Sequence, residues 1–414
     1  MATAAPDAVR SSAMPVASPA AAANLSLAGL AVATATRIDD VEVAWRRLER
    51  MGVESPGQSF DFVRLWAEAL GIAEADRLFI VATLGAQPLI LLPLRRFRRA
   101  GTSHFGWFPG SHVGCGAPLI DAGRFARLSA ADRATLWRRI GEAARGADFI
   151  HLADVPQTAN GLEAPFAGFG RLVPTETLYR AAFSNWEEAN TTQRNKSRRK
   201  HDRQQGERLE ALGQVAFETV GNGAEALPVL EEMFRQRARR FEVMGVSDPF
   251  AAPEIARFYR DTVAAESNVR VKLHVLRLDG SIVAVRYNIV FGDRLFCLIS
   301  SMSDDERIQG GSPGKQCLLR VMQSEFDGGF RVFDMGNGLT DEKRHWCNVQ
   351  IPLASHYLPL TAKGRLLIEA DAAWRKAKAA IKANPTLLKA AKAVRRLRSK
   401  EAGPAPAKST EAED

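Results

Sequence analysis

The segment VRVKLHVLRLDGSIVAVRYNIVFGDRLFCLISS, residues 269–301, contains three apolar runs in which hydrophobic and polar side chains tend to alternate. Two short turns, Asp279–Gly280 and Gly292–Asp293, separate the runs. Alternation over four to eight residues is typical of half-buried strands, and an Asp-Gly pair between two such runs is a strong hairpin signal. The segment therefore predicts a three-stranded antiparallel meander.

A Gly-rich turn follows the meander in QGGSPGKQCLLRVM, residues 309–322, and leads into a predicted helix. The first turn of a helix exposes unpaired N–H groups and the positive end of the helix dipole, so it attracts anions. A P-loop is disfavoured because Gln309 stands where its first glycine is needed and Gln316 where its Ser or Thr is needed. The GxGxxG fingerprint of dinucleotide-binding proteins is absent as well. The turn therefore predicts an anion site of another kind.

The rest of the chain predicts helices and strands in an order that partly repeats. In the first half, a strand begins near Leu25, an amphipathic helix covers 59–70, a hairpin turns at Gly85–Gln87, a helix is capped by Ser129, and a strand covers 148–154. In the second half, helices predicted before the meander cover roughly 187–212, 224–241 and 253–266. Duplication of one unit is a hypothesis here, because sequence identity between the halves is too low to show it.

The length of 414 residues favours two domains. We divide the chain into a disordered leader (1–24), an N-terminal lobe (25–185), a C-terminal lobe (186–365) and a basic helical tail (366–414). The four cysteines show no CxxC spacing, which argues against a zinc site or a disulfide framework and suits a cytoplasmic location. No window approaches the roughly 18 uninterrupted apolar residues of a spanning helix.

The net charge of +9 comes from two short segments rather than from the whole chain. Residues 372–400 hold ten Lys or Arg and no acid, and residues 194–203 hold six with one Asp, so the remainder has a net charge of −6. This distribution bears on binding partners and not on the fold.

The meander and the turn that follows it resemble those of a known family. An antiparallel meander that leads into an anion-binding turn is the layout of the GNAT acyltransferases. From about Leu25 to Leu367 the chain is similar to the CelD/BcsL family of GNAT-type acyltransferases, which is associated with cellulose biosynthesis and is similar to the Fem aminoacyltransferases in having two GNAT-like halves. The matching stretches include QSFDFVRLWAEAL, NKSRRKHDRQQGERLEALGQVAFETV, SPGKQCLLRVM and GFRVFDMGNGLTDEKRHW.

The resemblance implies a fold of the α/β (α+β) class, with tandem GNAT-like units whose mixed, mostly antiparallel sheets are flanked by helices. It implies transfer of an acyl group, with acetyl as the first candidate, from acyl-CoA to an amine or hydroxyl. The acceptor would be a small molecule, a glycan or a lipid-linked molecule, and the reaction would need no metal. The pyrophosphate of acyl-CoA would bind the turn, whose residues are Gln309, Gly310, Gly311, Ser312, Pro313, Gly314 and Lys315.

Three further residues are candidates for catalysis, and each has a structural alternative. Asp334 ends a predicted strand beside the turn and would accept a proton from the attacking group, or would only cap its loop. Lys343 would bind an acidic substrate group or pair with Asp341. Tyr287 would donate a proton to the departing thiolate, although core packing is the preferred role. His112, in a Gly- and aromatic-rich loop, suits an acceptor surface or an ordinary turn.

The two basic segments raise the question of partners. Residues 194–203 lack the interleaved aromatic residues of a stacking surface, so nucleic acid is disfavoured. A solvated or interdomain helix is preferred, and contact with a phosphate-bearing donor or acceptor comes second. The tail, residues 366–400, predicts a basic amphipathic helix with Trp374, suited to peripheral contact with the inner membrane or to docking on the body. Two rival functions stay open: a Fem-like transferase that uses aminoacyl-tRNA, and a non-catalytic adaptor of a membrane polysaccharide synthase.

Overall fold

A computed structural model describes residues 25–383, and side-chain positions as far as residue 376; the predicted leader and the end of the tail lie outside this range. The strands are β1 Leu30–Ala35, β2 Arg77–Leu84, β3 Gln87–Arg99, β4 Thr102–Trp107, β5 Leu119–Ile120, β6 Phe149–Pro156, β7 Thr158–Ala159, β8 Leu162–Glu163, β9 Arg171–Ala182, β10 Val215–Val220, β11 Val271–Leu278, β12 Ser281–Phe291, β13 Arg294–Met302, β14 Val332–Asn337 and β15 Val349–Pro359. The helices are α1 Glu42–Glu49, α2 Phe60–Ala69, α3 Ala122–Ala126, α4 Ala130–Ala143, α5 Trp186–Gln193, α6 Lys196–Glu210, α7 Ala226–Met244, α8 Pro253–Val263, α9 Glu306–Gln309, α10 Pro313–Asp327, α11 Asp341–Trp346 and α12 Ala362–Ala383.

One large sheet runs through the described part of the chain, in the order β1-β2-β3-β4-β6-β15-β9-β14-β13-β12-β11-β10. Its neighbours are antiparallel except for β4 with β6 and β13 with β14, which are parallel. The meander β11-β12-β13 and the hairpin β2-β3 are present as predicted, and the mixed α/β class is confirmed.

The two ends of the sheet repeat the same strand order and exchange one strand at the centre. From the outer edge inward, β1-β2-β3-β4-β6 corresponds to β10-β11-β12-β13-β14. The next strand after β6 is β15, from the end of the chain, whereas the next strand after β14 is β9, from the middle. Strands β9 and β15 also pair with each other. Each half of the sheet is therefore completed by a strand that follows the other half in sequence.

Helices on one face of the sheet join the two halves through a shared apolar core. Helix α2 packs against α8, where Phe62 and Trp66 lie 4.9 and 4.8 Å from the ring of Phe258. All three side chains are buried. Because one core and one sheet span both halves, the predicted lobe boundaries stay a prediction.

Two local predictions are corrected. The first strand begins at Leu30 and not near Leu25. The polar helix predicted over 187–212 is two helices, α5 and α6, because Arg194 is extended and the Asn195 side chain accepts from the N–H of Arg198 as an N-cap. Arg194 is held by Asp202 at 2.8 Å, which fixes the break.

Helix α12 docks on the body near Gly364 and Ile368 and not through Trp374. Ile368 is buried, and a Cβ at Gly364 would lie 1.8 Å from the backbone oxygen of Asp148, so the helix approaches the sheet closely there. Leu366 and Trp374 are 71% and 64% exposed. None of the helices in residues 25–383 combines the length and hydropathy that crossing a bilayer requires. The proposed membrane contact of the tail stays a prediction.

Candidate active site

The central feature of the C-terminal half is an opening between β13 and β14. Tyr287 on β12 pairs with Ile299, whereas the next residue, Asn288, pairs with Cys297, so Leu298 is an extra residue that forms a β-bulge. Strand β13 pairs with β14 only over Arg294–Phe296. Because the bulge bends β13 away from its neighbour, its edge beyond Phe296 has no partner strand among the described residues.

A cavity of about 370 Å³ lies at this opening and reaches the start of α10. It is lined by β13, the Gly-rich turn, the beginning of α11 and one arginine of α7; the lining residues are Arg240, Arg286, Ser300, Ser301, Met302, Gln309, Ser312, Gly314, Lys315, Thr340, Asp341 and Glu342. Backbone, cationic and carboxylate groups therefore converge on one concave space, which is the usual character of a ligand site.

The first turn of α10 presents N–H groups to this cavity. The N–H of Gln316 already bonds the carbonyl of Ser312 at 3.0 Å, whereas those of Gly314 and Lys315 have no backbone acceptor among the described residues. No acidic residue stands in this first turn. Unpaired N–H groups, the positive helix dipole and the Lys315 ammonium make this the natural place for an anion.

The seven residues predicted for the donor turn play different parts. Four of them, Gln309, Ser312, Gly314 and Lys315, line the cavity. Gly311 instead packs against α6, since a Cβ there would lie 2.8 Å from the Cβ of Leu209. Gly310 faces open space and Pro313 occupies the buried first position of the helix. Their use by a cofactor stays a prediction.

Helix α6 holds the turn in place. Ser312 has a left-handed backbone with φ +49°, which is unfavourable for a residue with a Cβ and persists only where neighbours enforce it. Gln205 on α6 donates to the Ser312 hydroxyl at 2.8 Å, and Gln316 donates to the carbonyl of Asp202 at 2.7 Å. The basic segment thus acts partly as a structural support for the turn within the C-terminal half, and an interdomain role stays a prediction.

Arg286 and Glu342 form a pair in the cavity that sequence reasoning did not single out as catalytic. One guanidinium nitrogen of Arg286 lies 2.9 Å from each carboxylate oxygen of Glu342 and donates to the Gly314 carbonyl at 3.3 Å. Burial acts against the charge of Arg286, but Glu342 and the nearby sulfur atoms of Cys297 and Cys317 outweigh it and raise the pKa. The only clue in the sequence was strand alternation, which places the side chains of residues 286 and 287 on opposite faces of the same strand.

Tyr287 lies on the other face of β12 and away from the cavity. Its ring is fully buried, its hydroxyl shares a hydrogen bond of 2.7 Å with Thr262, and burial raises its pKa. These contacts favour the core-packing alternative, and the role of proton donor stays a prediction without a supporting contact.

Asp334 belongs to a buried ion network and is not among the residues that line the cavity. Its carboxylate accepts from Arg180 at 2.7 Å and from the N–H of Gly336 at 2.8 Å. Arg180 also pairs with Glu54 of the N-terminal half at 2.8 Å, and Arg294 approaches Glu54 at 3.4 Å. This geometry favours a structural role over that of a general base, which stays a prediction.

Lys343 on α11 holds the loop that follows β14 and is not among the residues that line the cavity. Its ammonium donates to the carbonyls of Asn337 and Gly338, the latter at 2.8 Å, instead of pairing with Asp341 as one interpretation expected. Burial lowers the pKa of Lys343, and nearby acidic groups only partly oppose this. Substrate binding by Lys343 would require it to leave these carbonyls.

The equivalent opening in the N-terminal half is filled. Strands β4 and β6 pair only at His104–Phe105, as β13 and β14 do over a short stretch. A Cβ at Gly116 would lie 2.2 Å from the indole of Trp107, whose Nε1 donates to the Ala153 carbonyl at 3.0 Å. The corresponding helix, α4, carries Asp132 in its first turn, which disfavours an anion there. Only the C-terminal opening therefore has the features of a donor site within residues 25–383.

Comparison with known proteins agrees with this geometry. Residues 196–344 match the family described as the acetyltransferase (GNAT) domain. FemX is similar in structure with a TM-score of 0.52 at 11% identity, over 77% of this chain and 96% of FemX. The described part of the chain therefore shares the fold of FemX, and its C-terminal half contains the match to the GNAT domain.

Other solved structures are similar at lower scores. L-PGS from Bacillus licheniformis has a TM-score of 0.44 at 13% identity, over 74% of this chain and 93% of that one. A tandem GNAT protein from the clavulanic acid biosynthesis pathway has a TM-score of 0.40 at 12% identity, over 80% and 99%. No curated protein matches this sequence. The GNAT match covers the meander, the predicted donor turn and the beginning of α11, whereas the finer CelD/BcsL resemblance stays a prediction.

Proposed function

We propose that the protein transfers an acyl group, with acetyl as the first candidate, from a coenzyme A thioester to an amine or hydroxyl. The observation that carries this proposal is the start of α10, where the free N–H groups of Gly314 and Lys315 open into the cavity between the splayed strands. A pyrophosphate there would gain charge-assisted hydrogen bonds and the attraction of the helix dipole.

The chemistry places the thioester in the opening beside β13. The acceptor attacks the carbonyl carbon, negative charge develops on the carbonyl oxygen, and unpaired backbone N–H groups along the free edge of β13 stabilise it. The C–S bond then breaks and the sulfur leaves as a thiolate that takes up a proton. Glu342, which lines the cavity, accepts the proton of the attacking group directly or through a water molecule.

The experiment that tests the donor site is calorimetric titration of acetyl-CoA into the wild type and into Gly314→Asp. A Cβ at Gly314 would contact only the flexible Met302 side chain, with its sulfur at 3.1 Å, so the variant should fold while its carboxylate repels the pyrophosphate. The matched control is Gly310→Asp, because a Cβ there meets nothing within 4 Å. Gly311 is unsuitable, since its contact with α6 would confuse misfolding with lost binding.

Binding that Gly314→Asp abolishes and Gly310→Asp retains is the expected result. Failure of the wild type to bind any acyl-CoA would remove the support for the proposal. The resemblance to the CelD/BcsL family adds the narrower proposal that the acceptor belongs to cellulose or another exopolysaccharide pathway, which requires acceptor screening after donor binding is established.

A second candidate is transfer of an aminoacyl group from tRNA, as in the Fem proteins. The observation that favours it is the row of exposed basic residues on α6 beside the donor turn: Lys196, Lys200, Arg203 and Arg208. Arg198 is less suitable for a test, because it pairs with the buried Asp202 at 3.1 Å. Salt-dependent tRNA binding that is lost in Lys196→Gln/Lys200→Gln would favour this candidate.

A further inference from the structure

The opening has a second mouth on the face of the sheet that carries α7 and α8. Ser301 of β13 donates to the side chain of Gln236 on α7 at 2.8 Å, whereas Met302 faces Gly314 of α10. The cavity is lined both by Gly314 and by Arg240 of α7, so it passes between the strands from one face to the other. If the donor enters beside α10, the acceptor has access from the α7 side.

A guanidinium without a salt-bridge partner lies next to Ser300, which lines the cavity on this side. Arg237 donates to the carbonyl of Ser300 at 3.2 Å and lies 4.5 Å from the ring of Phe250. Its Nε is buried and has no hydrogen-bond partner, and within residues 25–376 no ion pair joins Arg237 or Arg240 to an acid. The nearby Asp248 carboxylate instead accepts from the N–H of Phe250 at 3.0 Å.

Phe250, which lies over the Arg237 guanidinium, packs in turn against the N-terminal half. The ring of His112 lies 5.6 Å from that of Phe250 and 5.0 Å from that of Trp66. Burial, aided by the positive charges of Arg95 and Arg237, lowers the pKa of His112 to about 4. Arg237 therefore lies near a neutral imidazole and aromatic faces, and burial lowers its pKa although the Asp248 carboxylate partly opposes this.

We propose that the α7 side of the cavity binds a carboxylate or phosphate group of the acceptor through Arg240, which lines it, and Arg237, which lies beside it. A partly buried guanidinium is stabilised most by an anion, and its planar fork matches the oxygens of these two groups. Aromatic rings on both sides suit the apolar or planar body of such an acceptor. This inference rests on the proposed acyl transfer for its biological meaning, but the anion site can be measured without turnover.

The anion has two conceivable sources, a soluble molecule or a lipid headgroup. The second is included because Val243, Met244 and Val246, where α7 ends, are 84%, 58% and 51% exposed. Apolar side chains beside arginines suit the surface of an anionic membrane. The experiment therefore needs one probe for each source.

The test is calorimetric titration of inorganic phosphate into Gly314→Asp, so that the donor turn does not contribute, and into the same chain with Arg237→Gln added. The matched control adds Arg235→Gln, which removes the same charge from an exposed position of α7. In parallel, all three proteins are sedimented with vesicles of phosphatidylglycerol or phosphatidylcholine. We expect Arg237→Gln to weaken anion binding about tenfold or more, and Arg235→Gln less than twofold.

Phosphate binding that depends on Arg237 supports a soluble acceptor, and phosphatidylglycerol binding that depends on Arg237 supports a lipid headgroup. Absence of binding to both probes, or equal losses in Arg237→Gln and Arg235→Gln, overturns the inference. Titration of acetyl-CoA into the single variant Arg237→Gln separates the two proposals. If this variant binds acetyl-CoA with unchanged affinity while the anion site is not found, the anion proposal fails and the acyltransferase proposal stands.

Discussion

Replacing Arg180 with methionine tests whether the buried ion network stabilises the joined halves. Arg180 is 6% exposed and lies between Asp334 at 2.7 Å and Glu54 at 2.8 Å, so the substitution leaves two buried carboxylates without their shared cation. Removing one partner of a buried ion pair costs about 3–5 kcal/mol, because the remaining charge is desolvated and uncompensated. Arg294, at 3.4 Å from Glu54, would offset part of this loss, which favours the lower end.

The assay is thermal unfolding followed by circular dichroism at neutral pH. Unfolding entropy is about 2.1 cal/mol/K per residue, so the described region of about 360 residues has a total unfolding entropy of roughly 0.75 kcal/mol/K. A loss of about 3–4 kcal/mol in the free energy of unfolding therefore lowers Tm by about 4–5 °C. The control is Arg171→Met on the same strand, whose exposed pair with Glu369 is worth at most about 1 kcal/mol. Equal Tm values for the two variants would refute the assigned role of the network.

Three further predictions concern the same region. Asp334→Asn should lower Tm by several degrees while the folded enzyme keeps its kcat within about threefold; a large loss of kcat at unchanged Tm would instead restore Asp334 as the base. Glu342→Gln should lower kcat by about 10²–10⁴-fold, the range for a general base, with acetyl-CoA affinity by calorimetry unchanged; full activity would remove Glu342 from the mechanism. For Glu54, burial opposes ionisation, but the charges of Arg180 and Arg294 outweigh it and lower the pKa of the carboxyl group. The ionised Glu54 therefore stabilises the folded protein above its unfolded-state pKa of about 4.3, and this stabilisation is lost as pH falls through the lower folded-state pKa. Denaturant titrations between pH 7 and pH 3 should show this loss in the wild type and less of it in Glu54→Gln.

Local signals in the sequence were sufficient for the meander and for the start of helices. The turn pairs at 279–280 and 292–293 and the Ser129 cap depend on backbone preferences within a few residues, and each is present in the structure. The break between α5 and α6 was equally local, since Asn195 is a good N-cap, but the continuous polar composition concealed it.

The site required information that local patterns do not contain. Whether a carboxylate at a strand end faces the cavity or a neighbouring half depends on a partner 154 positions away, as Asp334 and Arg180 show. Glu342 and Arg286 meet across 56 positions. The bulge at Leu298 decides where the strands separate, and nothing in LFCLISS distinguishes an extra residue from a regular strand.

The exchanged central strands also constrain how the protein is made. When β6 leaves the ribosome, the edge that faces the centre of the sheet has no neighbour until β15 is synthesised, roughly 190 residues later. At 5–20 residues per second this interval is on the order of 10–40 s, during which a free strand edge can pair with other chains. Strand β9 waits in the same way for both of its neighbours. The nascent chain should therefore depend on chaperones while it is incomplete, and a product truncated before residue 349 should aggregate instead of accumulating as a stable half.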